Sequence, residues 1–242
     1  MEPSTTNASA PEPPPAPSKP PPRLRTTPLV PTILRERDLP GPMSLGRLAA
    51  EGTITTLDDM ESGYWSEHAA TLYGRASIVH RIIPHSTAAC ALTAMWVWMG
   101  GEFPRTLDVL SRSHFRMRHF GHRVRAFTRK VTPRHLVTIG NLRVTDPTRT
   151  ACDVASLHAT AAHPNDYTER IVDLMDAYDF TPDDCATILD ENPCMSTMPR
   201  TRACLSGVRR SYDHRHADSR RIDRRHGDSR HVDDRHGVGV AP

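Results

Sequence analysis

The residues with chemistry to offer fall into three groups. Arg149 and Asp153 stand four positions apart in the stretch His135 to Leu157, HLVTIGNLRVTDPTRTACDVASL, with Thr150 between them and Asp146 just before. On a helix that spacing puts guanidinium and carboxylate on one face, as a charge ladder. The plain reading is helix capping plus an ion pair, since such pairs ordinarily make solvated or structural contacts. The second group is basic. Arg112, Arg116, Arg118, Arg123, Arg125, Arg129 and Lys130 have His114, His119, His122, Phe115 and Phe120 interleaved. Arginine among aromatic residues suits phosphate contact and base stacking, and the same mixture also covers ordinary solvated strands. The third group is acidic. Residues 161–205 hold nine Asp and Glu against three Arg, a net −6, directly after residues 100–160 with eleven Arg and Lys against four acids, a net +7. Such asymmetry means either a nucleic-acid face on the basic segment or two segments that neutralise each other within one fold. The acids read as a solvated helix face ahead of catalytic carboxylates or a surface that mimics DNA.

Enzymatic constellations are missing. A restriction-like nuclease uses D…(D/E)-x-K to hold Mg²⁺ and activate water; the only lysines are Lys19 and Lys130, and neither follows an acid at that spacing. A nucleotidyltransferase needs a Gly-Ser turn followed by D-x-D or D-x-E, whereas Ser206-Gly207 leads into basic sequence. No G-x-S-x-G elbow, P-loop or H-E-x-x-H occurs. The expectation is a non-enzyme with no catalytic residue, no cofactor and no metal site. Five cysteines, Cys90, Cys152, Cys185, Cys194 and Cys204, form no C-x-x-C pair and read as reduced, mostly buried thiols of a cytoplasmic protein.

These groups need elements to position them. Val137, Ile139, Leu142 and Val144 supply two short strands around the turn pair Gly140-Asn141, which predicts a hairpin. Thr145 or Asp146 then caps a helix with Pro147 first, and Ala151, Val154, Ala155 and Leu157 turn toward a core. Thr150 can hydrogen-bond back to the preceding turn. Upstream, Ser44 caps a short helix ended by Gly52, and Thr56 with Asp59 reads as a capping box before a second helix. Ser86 to Met99 reads as one helix stopped by Gly100-Gly101, with Trp96 and Trp98 as core and edge packing. Ile171, Leu174, Met175 and Tyr178 follow helical spacing, and Thr181-Pro182-Asp183-Asp184 starts another helix.

The block VTDPTRTACDVA resembles the T-x-P-x-R-T-x-x-D-x-A signature of the AbiEi-type antitoxin domain of type IV toxin-antitoxin systems, a family common in actinobacteria. Pro84 to Ala89, PHSTAA, resembles the family's S-H-x-(S/T)-A-A helix start; Thr106 to Leu110 and Gly121 to Thr128 resemble its following strands. The resemblance spans residues 80–205 and makes Asp146, Arg149, Thr150 and Asp153 signature positions with no catalytic role implied. It implies an N-terminal winged helix that binds the operon's own promoter DNA, and a second domain that opposes a nucleotidyltransferase-like toxin without a stable complex. Some relatives carry a restriction-like nuclease after the same domain, which makes a non-catalytic remnant of such a protein the alternative. The family's G-x-Y wing has only Leu72-Tyr73-Gly74-Arg75 as a remnant, and residues 43–99 hold Arg47, Arg75 and Arg81 against five acids, a poor balance for a DNA reader.

The ends are different in kind. Residues 1–42, with PEPPPAPSKPPPR, are too proline-rich for a packed core, and residues 206–242 repeat every ten residues from Asp213, Asp223 and Asp233 with almost no aliphatic side chains. Both are expected to be disordered tails. The longest apolar run, Ala88 to Met99, is too short to span a membrane. The expected fold class is α+β: a small mixed sheet with flanking helices over residues 86–205, with room for a degenerate helix-turn-helix or winged helix over residues 43–85.

Overall fold

Short β-branched runs become strands here, and the amphipathic segments between them become the helices that cover one face. In the computed structural model the described residues are 31–39, 44–58, 61–116, 118–129, 131–158, 167–191 and 198–232. Their elements belong to a unit that starts at Thr32. The fold is α+β, a small mixed sheet flanked by helices as expected. No helix among the described residues is long and apolar enough to cross a membrane.

The first part builds a three-stranded antiparallel sheet in the order β1 (Ile33–Arg35), β3 (Ser62–Trp65), β2 (Ile54–Thr56). Helix α1 (Leu45–Ala50) seals it, with Leu34, Leu45, Leu48 and Ile54 in a small core of their own. Ser44 caps α1 as the sequence predicts, its Oγ accepting from the Arg47 N–H at 3.2 Å. The helix expected after Thr56 is instead a hairpin. Ile54, Thr55 and Thr56 favour an extended chain, and the Asp58 carboxylate accepts from the Ser62 N–H and Oγ at 2.6 and 2.8 Å, closing a turn where a cap was expected.

Helices α2 (Ser66–Ala69) and α3 (Leu72–Ile82) follow, so the Leu72–Arg75 stretch read as a wing remnant is the first turn of α3. A Cβ at Gly74 would overlap the His68 carbonyl oxygen, the point where α2 ends against α3. Gly74→Ala should therefore cost about 1–3 kcal/mol, read as a lower urea midpoint. The core is continuous across residue 85: Tyr64, Ile78, Val79 and Ile82 share one cluster with the residues of the larger sheet.

That sheet runs in the order β6 (Arg123–Phe127), β5 (Thr106–Leu110), β4 (Ala88–Ala89), β8 (Leu142–Thr145), β7 (Leu136–Ile139). β5 and β6 are parallel, as are β4 and β8, while β4 with β5 and β7 with β8 are antiparallel. β4 corrects the single helix expected from Ser86. Thr87 donates its hydroxyl to the Pro84 carbonyl at 2.7 Å, Ala88 and Ala89 fill the centre of the sheet, and α4 starts only at Ala91 and ends at Met99. Gly100, at φ +71°, stops it in a backbone region that favours glycine.

Helix α5 (Pro147–His158) packs on α4, and Ala151, Val154, Ala155 and Leu157 are buried as their spacing predicts. α6 (Thr168–Tyr178) and α7 (Pro182–Asp190) lie against α5 and α8 (Met198–Val232). Thr181 caps α7 with its N–H and hydroxyl on Asp184 Oδ2 at 2.8 and 2.7 Å, which holds that carboxyl below its ordinary value. The domain does not end at residue 205: α8 buries Leu205 and Val208, half-buries Tyr212, and continues as helix to Val232, into the ten-residue repeat. Apolar residues at helical spacing just ahead of the repeat carry it. Residues 1–30 and 233–242 lie outside the described residues.

Candidate nucleic-acid interface

The signature block folds into a set of buried charges. Asp146 caps α5, its Oδ1 accepting from the Arg149 N–H at 2.7 Å, while Oδ2 meets Nδ1 of the buried His135 at 3.1 Å. Thr150 donates back to the Thr145 carbonyl at 3.1 Å, which also accepts from Trp98 Nε1 at 2.8 Å. Arg149 and Asp153 are 2% and 3% exposed, so the helix pair is internal and not solvated. Asp153 Oδ1 accepts from Arg149 Nε at 3.1 Å and from Arg129 Nη1 at 2.9 Å. Among the described residues its Oδ2 is the one buried side-chain oxygen or nitrogen without a hydrogen-bond partner.

A second internal pair lies beside it on β5 and β6. Arg125 donates Nε and Nη2 to the two oxygens of Asp108 at 2.7 and 3.0 Å, and the Leu92 N–H adds a bond to Oδ2 at 3.1 Å. Burial raises the Asp108 carboxyl, and Arg125 opposes that rise. The same burial, with Asp153 and Asp108 close by, pushes the Cys90 thiol well up and leaves it unreactive. Cys152 and Cys185 are buried free thiols as well, and Cys194 lies outside the described residues.

The seven basic positions read from the sequence therefore separate. Arg125 and Arg129 are structural ion-pair partners that flank the Phe127 ring, with guanidinium carbons 5.4 and 4.8 Å from its centroid. A variant that removed them would report on stability before it reported on binding. Arg112, Arg116, Arg118 and Arg123 are exposed, Arg118 donating to the Gly121 carbonyl at 3.0 Å. Lys130 lies outside the described residues.

Only part of the group shares a site. Arg112, Phe115, Phe127 and Arg129 line a cleft of about 980 Å³ at the carboxyl ends of β5 and β6, whereas Arg116, Arg118 and Arg123 do not line it. The other side is made by His85 and Arg143, which the sequence reading had not chosen as site residues. Arg143 projects from the exposed side of β8, opposite Thr138 on β7, while Leu142 and Val144 face the core. The alternation within LRVT was the signal that could have found it. Ser86, Ser111, Ser113, Thr128 and Thr132 add hydroxyls, and among the described residues no Asp or Glu lines it.

The acidic segment is occupied elsewhere. Arg215 reaches Glu169, Asp173 and Asp176 at 2.7–2.8 Å, Arg209 pairs with Asp183, Arg202 with Asp190, and Arg134 with Glu191. Neutralisation of the acidic segment thus comes mainly from α8 and not from the basic middle, and among the described residues Arg112 and Arg143 of the cleft make no ion pair. Among the described residues no cluster of three or more His, Cys, Asp and Glu is arranged to hold a metal ion. No family model, no curated protein and no solved structure matches this chain.

Proposed function

We propose that this chain is an antitoxin-like regulatory protein of the cytoplasm that acts by binding nucleic acid and not by catalysis. The observation that carries the reading is the cleft at the end of the larger sheet, with Arg112 and Arg143 free of ion pairs among the described residues and no acid on its walls. Guanidinium groups without counter-charges in a concave site are what a phosphodiester backbone requires. The sequence resemblance to AbiEi-type antitoxins supports the biological role, with the operon's own promoter DNA as one target and a nucleotidyltransferase-like toxin as the activity opposed. The small sheet with α1, standing where the family has its winged helix, mixes Arg35, Arg37 and Arg47 with Glu36, Asp38 and Glu51 and offers no comparable surface.

Fluorescence anisotropy with the chain's own upstream duplex and a scrambled one, at two salt concentrations, tests this. The double variant Arg112→Gln/Arg143→Gln should lose about tenfold or more in affinity and shallow the salt dependence by roughly two phosphate contacts. Unchanged binding would sink the assignment. The alternative, a non-catalytic remnant of a nuclease-bearing relative, draws on α8 and its repeat, which occupy the place such relatives give the nuclease. It predicts no Mg²⁺-dependent cleavage and no function-dependent phenotype on deletion.

A further inference from the structure

The walls of the cleft select among nucleic acids as well as attracting them. We propose that it takes a single-stranded polynucleotide, RNA or DNA, in preference to a duplex, with phosphates on Arg112 and Arg143 and a base against Phe115; this rests on the nucleic-acid reading above.

Among the described residues the lining comes from strands and loops, and no residue of a helix contributes to it. Duplex grooves are read by an element that projects into them, whereas a concave cleft admits a strand. The aromatic residues of the wall differ in what they can do. Phe127 already has the guanidinium groups of Arg125 and Arg129 against its ring. Phe115 is half-buried and has a single ring contact among the described residues, with His119 at 6.2 Å and nearly perpendicular. Among the described residues no cation lies over it, and it shares the cleft with Arg112 and Arg143, which make no ion pair there. Bases in a duplex are stacked on one another and cannot reach that ring, while unpaired bases can.

The experiment uses the full chain with labelled mixed-sequence oligonucleotides: single-stranded RNA, single-stranded DNA and the matching DNA duplex. Both single strands should bind about tenfold tighter than the duplex. Phe115→Leu should weaken single-strand binding about fivefold or more, as loss of one stacked base does, and weaken duplex binding by a smaller factor. Arg143→Gln should lower the single-strand salt slope by about 0.7, one phosphate contact. Arg143 is exposed, so that variant keeps the test decisive even if Phe115→Leu fails to fold. An RNA preference over DNA supports the proposal and adds contact with the 2′-hydroxyl. Duplex binding equal to or tighter than single-strand binding overturns it, as does single-strand binding that neither substitution moves. If duplex binding depends on Arg143 without strand preference, the regulatory reading survives and this inference fails; if no nucleic acid binds, both fail.

Discussion

Asp153→Ala should destabilise the fold by about 3–5 kcal/mol, because it leaves a guanidinium buried without its counter-charge. Arg149 is 2% exposed and, among the described residues, its side chain donates to Asp153 alone, and Arg129 relies on the same oxygen. Removing a carboxylate whose second oxygen already lacks a partner gains little, since the cost of the stranded arginine dominates. The double variant Arg149→Met/Asp153→Leu should recover most of the loss, because apolar side chains of similar size tolerate the site without desolvating charge. Urea denaturation of the two variants checks this; equal destabilisation by both would show that the geometry of the pair, and not its charge balance, holds α5 in place. Arg129→Gln should cost less than Asp153→Ala, as its side chain keeps 19% exposure and water can reach it.

The second large effect is expected at Arg75, one of the three arginines in the charge balance of residues 43–99. It is buried, and its guanidinium donates to the Val97, Trp98 and Ala69 carbonyls at 2.7, 3.0 and 2.9 Å. Val97 and Trp98 belong to the last turn of α4, whose carbonyls have no partners within the helix. Arg75 therefore caps α4 from α3, with its positive charge against the negative end of the helix dipole. Burial lowers its pKa, and the nearby Tyr178, which also donates to the Trp98 carbonyl at 3.0 Å, raises it. Arg75→Met should lower stability by about 3–5 kcal/mol, the cost of orphaned carbonyls plus lost charge-assisted bonds. Thermal unfolding reads it directly, and a change below about 1 kcal/mol would show that water replaces the guanidinium. Arg75→Lys should rescue only part of the loss, since one ammonium cannot span three carbonyls in a planar fork.

Both effects arise where charges meet across long stretches of chain. Arg125 and Asp108 are 17 residues apart, Arg129 and Asp153 are 24, and Arg75 and Trp98 are 23. No periodicity or capping pattern encodes such partnerships, which explains why two of the seven basic residues proposed for a ligand proved to be partners of buried carboxylates. The same limit concealed the cleft, because His85, Arg112 and Arg143 come together only through the order of strands.

The features legible in the chain before folding are local. The hairpin around Gly140-Asn141, the Asp146 cap, the Arg149–Asp153 pair, the buried stripe of α5, and the capped start of α7 all rest on interactions within a few residues, where spacing alone fixes what can touch. Where neighbours in space were distant in sequence, only the tertiary structure decided. It made Ala88-Ala89 a central strand and Thr56 the end of a hairpin strand, carried α8 past residue 205, and turned a run of arginines into two structural clamps and one open cleft. The physical reason is that burial decides whether a charge is a clamp or a contact, and burial belongs to the assembled sheet and helices.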